Sequence, residues 1–180
     1  MRVIAGSLGG RRLKAPAGRD TRPTSGRVRE ALFAMLSNVD GERVLDLFAG
    51  TGALGIEALS RGASRAVFVE RDERASRVLR ENLRALGIDQ HAGEVRRADV
   101  LGALRSAQAC KETYDLIFID PPYRRAHEWA AELSAILPSL LASGARIVVE
   151  SDRREPVELA LPIERQRRYG DTSITIHRQP

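Results

Sequence analysis

Asp120-Pro121-Pro122-Tyr123 follows Tyr114-Asp115-Leu116-Ile117-Phe118-Ile119, a run that reads as a buried strand. Two successive prolines fix φ and remove two backbone donors, which makes a stiff corner with free carbonyls. A carboxylate precedes the corner and an aromatic ring follows it. That set suits a flat ring carrying an amino group. Tyr123 can stack on the ring, while Asp120 and the corner carbonyls accept from its N–H groups. The plain alternative is an ordinary turn that closes a strand.

A second constellation lies upstream. Asp46-Leu47-Phe48-Ala49-Gly50-Thr51-Gly52-Ala53-Leu54-Gly55 leaves a strand and enters a helix, and Gly50, Gly52 and Gly55 satisfy G-x-G-x-x-G. Such glycines let the backbone turn tightly and approach a ligand at the helix N-terminus. Glu70 ends the next strand 20 residues after Gly50, where a carboxylate can grip ribose hydroxyls. The bland reading is that the glycines only pack helix against strand. These features fit NAD and S-adenosylmethionine alike, and two observations favour the latter. Asp46 would meet a pyrophosphate unfavourably but suits a cationic amino-acid end, directly or through water. The Asp-Pro-Pro-Tyr corner has no role in hydride transfer. Asp99, after the third strand, is placed to accept from the adenine amino group. It also reads as a helix N-cap before Val100-Leu101-Gly102-Ala103, and the two roles are compatible.

The elements that must hold these residues alternate. Residues 2–14 read as a Gly-punctuated hairpin, and Thr24 or Ser25 caps a helix carrying Val28, Leu32 and Leu36. Strands are expected over 44–48, 65–70, 94–98, 114–120 and 145–150, and helices over 53–61, 73–86 (closed by Gly87) and 128–141. A short helical turn is expected after Ala98. Trp129 falls on the last helix and reads as core or half-buried. Ile163–Tyr169 and Ser173–Arg178 flank Gly170-Asp171, a hairpin pattern. The expectation is an α/β, doubly wound Rossmann-like methyltransferase sheet, mostly parallel, with an antiparallel C-terminal edge hairpin and a small basic N-terminal hairpin and helix. Residues 1–40 form the basic extension and 41–180 the cofactor-binding domain.

Charge points to the partner. The chain of 180 residues carries a net +5, yet residues 1–30 hold eight Arg or Lys against Asp20 and Glu30, a local +6. A basic end on a near-neutral body reads as a nucleic-acid contact surface, with a solvated tail as the bland alternative. Cys110 is the only cysteine, which rules out an internal disulfide and fits a reducing cytoplasm. His91, His127 and His177 lack metal-ligand spacing, so no metal is expected. Met1–Gly6 is too short for a signal peptide, and no stretch approaches the ~20 apolar residues of a membrane span.

With these residues together, the chain resembles the Asp-Pro-Pro-Tyr class of S-adenosylmethionine-dependent amino-methyltransferases. More narrowly, it resembles the bacterial 16S rRNA guanine-N2 methyltransferases of the RsmD type. The likeness runs through Arg2-Val3-Ile4-Ala5-Gly6, Gly10-Arg11, Arg22-Pro23-Thr24 and Arg27-Val28-Arg29-Glu30-Ala31-Leu32-Phe33. It continues through the Asp46–Gly55 loop, Glu70, the Asp120–Tyr123 corner and Tyr169-Gly170-Asp171-Thr172. The resemblance implies S-adenosylmethionine held by Asp46, Phe48, Ala49, Gly50, Thr51, Gly52, Gly55, Glu70, Asp99 and Val100. It implies catalysis at Asp120, Pro121, Pro122 and Tyr123, and RNA contacts from Arg2, Arg11, Arg12, Lys14, Arg22, Thr24, Arg27 and Arg29. The alternative for one of Arg27 and Arg29 is an approach to the cofactor's carboxylate. The implied substrate is guanine(966) of 16S rRNA, in the small subunit or its assembly precursor, for a monomeric cytoplasmic enzyme.

Three rivals share part of this pattern. A DNA adenine-N6 or cytosine-N4 methyltransferase has the loop and the corner, but needs a recognition region larger than the ~40 residues outside the core. An NAD-dependent oxidoreductase shares the loop and the carboxylate at Glu70 but has no use for the corner. An RNA-binding module without catalysis has no use for both Asp120 and Glu70.

Overall fold

The computed structural model describes residues 1–15, 26–122 and 129–179. Its centre is one seven-stranded sheet in the order β3-β2-β1-β4-β5-β7-β6. The strands are β1 (Arg43–Leu47), β2 (Arg65–Val69), β3 (Gly93–Arg96), β4 (Tyr114–Ile119), β5 (Leu141–Asp152), β6 (Ile163–Tyr169) and β7 (Thr172–Arg178). β1 to β5 pair in parallel. β7 runs antiparallel to both β5 and β6, so the C-terminal hairpin supplies the antiparallel edge, as expected from sequence.

Period-two alternation divides the core between the two faces. Phe68, Phe118, Val148 and Ile174 face a layer built from α1 (Gly26–Leu36), α2 (Ala53–Ser60) and α3 (Glu73–Leu86). Their neighbours Val67, Ile117 and Ile147 face α4 (Val100–Ala109) and α5 (Ala130–Ile136). The N-terminal hairpin joins the first layer: Val3 and Leu13 share a cluster with Leu32, Phe68 and Phe118. Its two arms are held by Val3 N–H to Arg11 O at 3.0 Å, Gly10 N–H to Val3 O at 2.9 Å and an antiparallel bridge between Arg2 and Arg12.

α3 begins at Glu73 and ends at Leu86, as the sequence predicts. The Asp72 carboxylate caps it by accepting from Ala75 N–H at 2.8 Å, and Gly87 closes it in the left-handed conformation. Three expectations need correction. The short turn after Ala98 is a ten-residue helix, α4, because its weakly patterned Val100–Ala109 segment packs Ala103, Leu104 and Ala107 against the sheet. The helix expected over 128–141 becomes a 3-10 turn at Leu137–Leu140, where Pro138 lacks the N–H that an α-helix needs. β5 starts at Leu141 rather than Ala145, because Tyr114 pairs with Leu141 across a register shift. The capping Thr24 and Ser25 lie outside the described residues. Among the described residues no helix is long and apolar enough to cross a membrane.

Candidate active site

Strand order reverses between β1 and β4, and a parallel α/β sheet leaves a crevice at the carboxyl ends of its strands at such a point. Leu47 pairs with Val69 on one side and with Ile119 on the other. The next residue along each strand is Phe48, Glu70 or Asp120. One row at the sheet edge therefore brings together the glycine loop, the Glu70 carboxylate and the proline corner, which are 22 and 50 residues apart from one another along the chain.

The loop is held from both sides. Glu70 Oε2 accepts from Gly50 N–H at 2.8 Å, and its Oε1 accepts from Asp72 N–H at 2.7 Å. Ala49 N–H donates to Val69 O at 2.9 Å. Phe48 adopts φ 61°, a left-handed conformation that is strained for a residue with a Cβ. Its ring meets Trp129 edge-on, with centroids 5.4 Å apart, so Trp129 is half-buried at the rim of the site. Gly52 has φ 80° at the start of α2. Gly55 is required for packing: a Cβ there would lie 2.3 Å from the Phe68 ring. Around Gly50, by contrast, an added Cβ would meet only Phe48 O, at 4.0 Å, so the loop crest is open to a ligand.

Asp46 is 2% exposed and accepts from Gly55 N–H at 2.9 Å. Burial pushes its carboxyl up to about 7, against the opposing Gly55 N–H, and nearby Glu70 adds to the rise. It braces the start of α2 from beneath the loop. Asp99 is exposed and caps α4, accepting from Gly102 N–H at 2.8 Å, while Val100 is buried behind it. Asp120 is partly exposed, Pro121 is buried and Pro122 is exposed. Tyr123 lies outside the described residues.

The expected RNA contacts divide. Arg2, Arg11, Arg12, Lys14 and Arg27 are exposed. Arg11 Nη2 donates to Ala85 O at 3.0 Å, and Lys14 Nζ pairs with Glu81 at 2.8 Å, so both lie along α3. Arg29 does not reach the surface. It is 2% exposed and donates to Arg2 O at 2.6 Å, because α1 turns it beneath the hairpin towards Glu57. Arg22 and Thr24 lie outside the described residues.

Two site residues escaped the sequence reading. Asn82 is 2% exposed; its Nδ2 donates to Thr51 O and to Lys14 O, both at 3.1 Å, and its Oδ1 accepts from Lys14 N–H at 2.8 Å. Glu57 is fully buried and accepts from Ile4 N–H at 2.7 Å and Ala5 N–H at 3.0 Å, with Arg61 Nε at 2.8 Å. The available clue was a polar residue on the apolar face of each helix, as with Asn82 between Leu79 and Leu86.

Residues 1–178 match the model of the family described as "Conserved hypothetical protein 95". The chain belongs to this family, of the RsmD type. It is 42% identical to a Bacillus subtilis protein named "Putative rRNA methyltransferase YlbH", over 99% of each chain. It is 40% identical to "Ribosomal RNA small subunit methyltransferase D" of Escherichia coli K12, over 90% of this chain and 78% of that protein. The solved structure described as "Putative methyltransferase yhhF from Escherichia coli" superposes with a TM-score of 0.85 at 34% identity, covering 99% of this chain and 97% of that one.

Proposed function

We propose that this chain transfers a methyl group from S-adenosylmethionine to the exocyclic N2 amine of a guanine in 16S rRNA of the small ribosomal subunit, guanine(966). The observation that carries this reading is the edge row in which β2, β1 and β4 set Glu70 and Asp120 on either side of the glycine loop. The described residues fit the cofactor. The crest at Gly50 is open, Glu70 keeps lone pairs beyond its two backbone bonds, and Asp99 stands exposed at the end of β3. Phe48, Ala49, Thr51, Gly52, Gly55 and Val100 would shape the rest of the cradle, and Asp46 would answer its cationic end, directly or through water.

When bound, the cofactor supplies an electrophilic methyl group on a sulfonium. The protein's own task is to prepare the amine. Its lone pair is delocalised into the base, so it is a weak nucleophile. Asp120 and the Pro121 carbonyl accept from its two N–H groups and help the nitrogen pyramidalise. Tyr123 stacks on the ring and fixes the line of attack, so alignment supplies much of the rate gain. The departing proton goes to Asp120 or to water. The base must leave its stack to reach the corner. Arg2, Arg11, Arg12, Lys14 and Arg27 hold the flanking phosphates, and Arg22 and Thr24 are assigned the same task.

The deciding experiment offers labelled methyl donor to small subunits from a strain lacking this enzyme, then maps the modified nucleotide and atom. Label on guanine N2 at position 966 supports the proposal. Label elsewhere, or none, overturns it.

A further inference from the structure

The exposed side of α3 carries a feature that the reaction centre does not use. Arg77, Arg80 and Arg84 recur three and four residues apart, so they share one face of the helix. With Glu73, Glu81 and Arg97 they line a shallow groove of about 330 Å³. Both acids are already paired: Glu73 with Arg77 at 3.4 Å and Arg97 at 3.3 Å, and Glu81 with Lys14 at 2.8 Å. The groove runs on into the hairpin, because Arg11 reaches Ala85 near the end of α3. Six cations (Arg11, Lys14, Arg77, Arg80, Arg84 and Arg97) thus face two carboxylates, a local charge of +4. The helix spans ~21 Å at 1.5 Å per residue, and its first residue stands three positions after Glu70.

We infer that this groove is a track for the phosphodiester backbone of the RNA that delivers the target base, extending the hairpin's contact surface along α3. The inference rests on the proposed rRNA reaction. Guanidinium groups match phosphate oxygens in bidentate geometry. The lining contains no apolar anchor of the kind that a membrane surface or a protein hot spot requires. The ordinary reason for arginines on a helix face is solvation and local ion pairing. That reason accounts for Arg77 but leaves Arg84 without an ion pair among the described residues.

The test compares the whole protein with the double variant Arg80→Gln/Arg84→Gln, and with Arg105→Gln on α4 in the opposite layer as a charge control. Binding to small-subunit RNA is measured across a salt series, alongside S-adenosylhomocysteine binding and thermal unfolding. The double variant should bind RNA about tenfold or more weakly and lose about two from its log–log salt slope. Cofactor affinity and unfolding should stay as in the parent, and KM for RNA should rise while kcat holds. An unchanged RNA affinity and slope, or an equal loss in Arg105→Gln, overturns the inference. RNA binding is read directly, so a parent protein that binds RNA but fails to methylate it counts against the proposed reaction and not against the track.

Discussion

Asn82 Nδ2 donates to the Thr51 carbonyl at 3.1 Å, so a buried side chain on α3 fastens the glycine loop. The same amide pairs in both directions with the backbone of Lys14, at 2.8 and 3.1 Å. One residue therefore ties the basic hairpin to the loop that precedes α2. Glu57 makes the complementary tie from α2 itself to Ile4 and Ala5.

Replacing Asn82 by Ala strands one buried donor and two acceptors, at a cost of about 2 kcal/mol. For a chain of this size that lowers Tm by about 4–8 °C. Calorimetry should show this drop together with weaker S-adenosylhomocysteine binding. Unchanged cofactor affinity would mean that Thr51 keeps its position without the tie.

Asp120→Ala should reduce methyl transfer by on the order of 10²-fold or more. S-adenosylhomocysteine binding should stay within about twofold, because the proposed reaction sets Asp120 against the amine rather than the cofactor. Single-turnover rates and equilibrium binding, measured side by side, check both halves. A variant as active as the parent removes Asp120 from the chemistry.

Glu70→Gln keeps the shape but weakens the charge-assisted bonds from Gly50 and Asp72 and, in the proposed site, the grip on ribose hydroxyls. Cofactor affinity should fall about tenfold, a loss of about 1.4 kcal/mol. Glu70→Ala should fall further, since it leaves both backbone donors without their acceptor.

Asp46 makes stability depend on pH. Burial raises its pKa from 3.8 to about 7, so the native state holds a proton that the unfolded chain has released. Its stabilising contribution is complete below about 3.8 and is lost as pH rises through about 7. Subtracting the Tm-against-pH curve of Asp46→Asn from that of the parent should leave a slope that falls across this window. A cationic ligand group beside Asp46 favours its ionised form, so S-adenosylhomocysteine should bind up to about tenfold tighter at pH 8 than at pH 6, and Asp46→Asn should flatten that trend. A flat difference curve would show that Asp46 keeps an ordinary pKa.

Much of this protein follows from its sequence alone. Local rules set α3 from Asp72 to Gly87, because the cap, the apolar stripe and the terminating glycine agree. The alternation of strands with helices determined the sheet class, and the glycine spacing with Glu70 located the loop. The end of β4 was legible because two prolines restrict the chain wherever they stand. Strand order, however, is a property of long-range pairing. Only the tertiary structure set β1 between β2 and β4, and thereby placed Glu70 and Asp120 on either side of Phe48. Burial likewise depends on what packs above a residue. Arg29 reads as one more cation in a basic segment, yet the hairpin covers it and turns it inward to Arg2. Asn82 reads as a polar interruption in α3, and only the approach of two distant backbone segments gives its amide three partners.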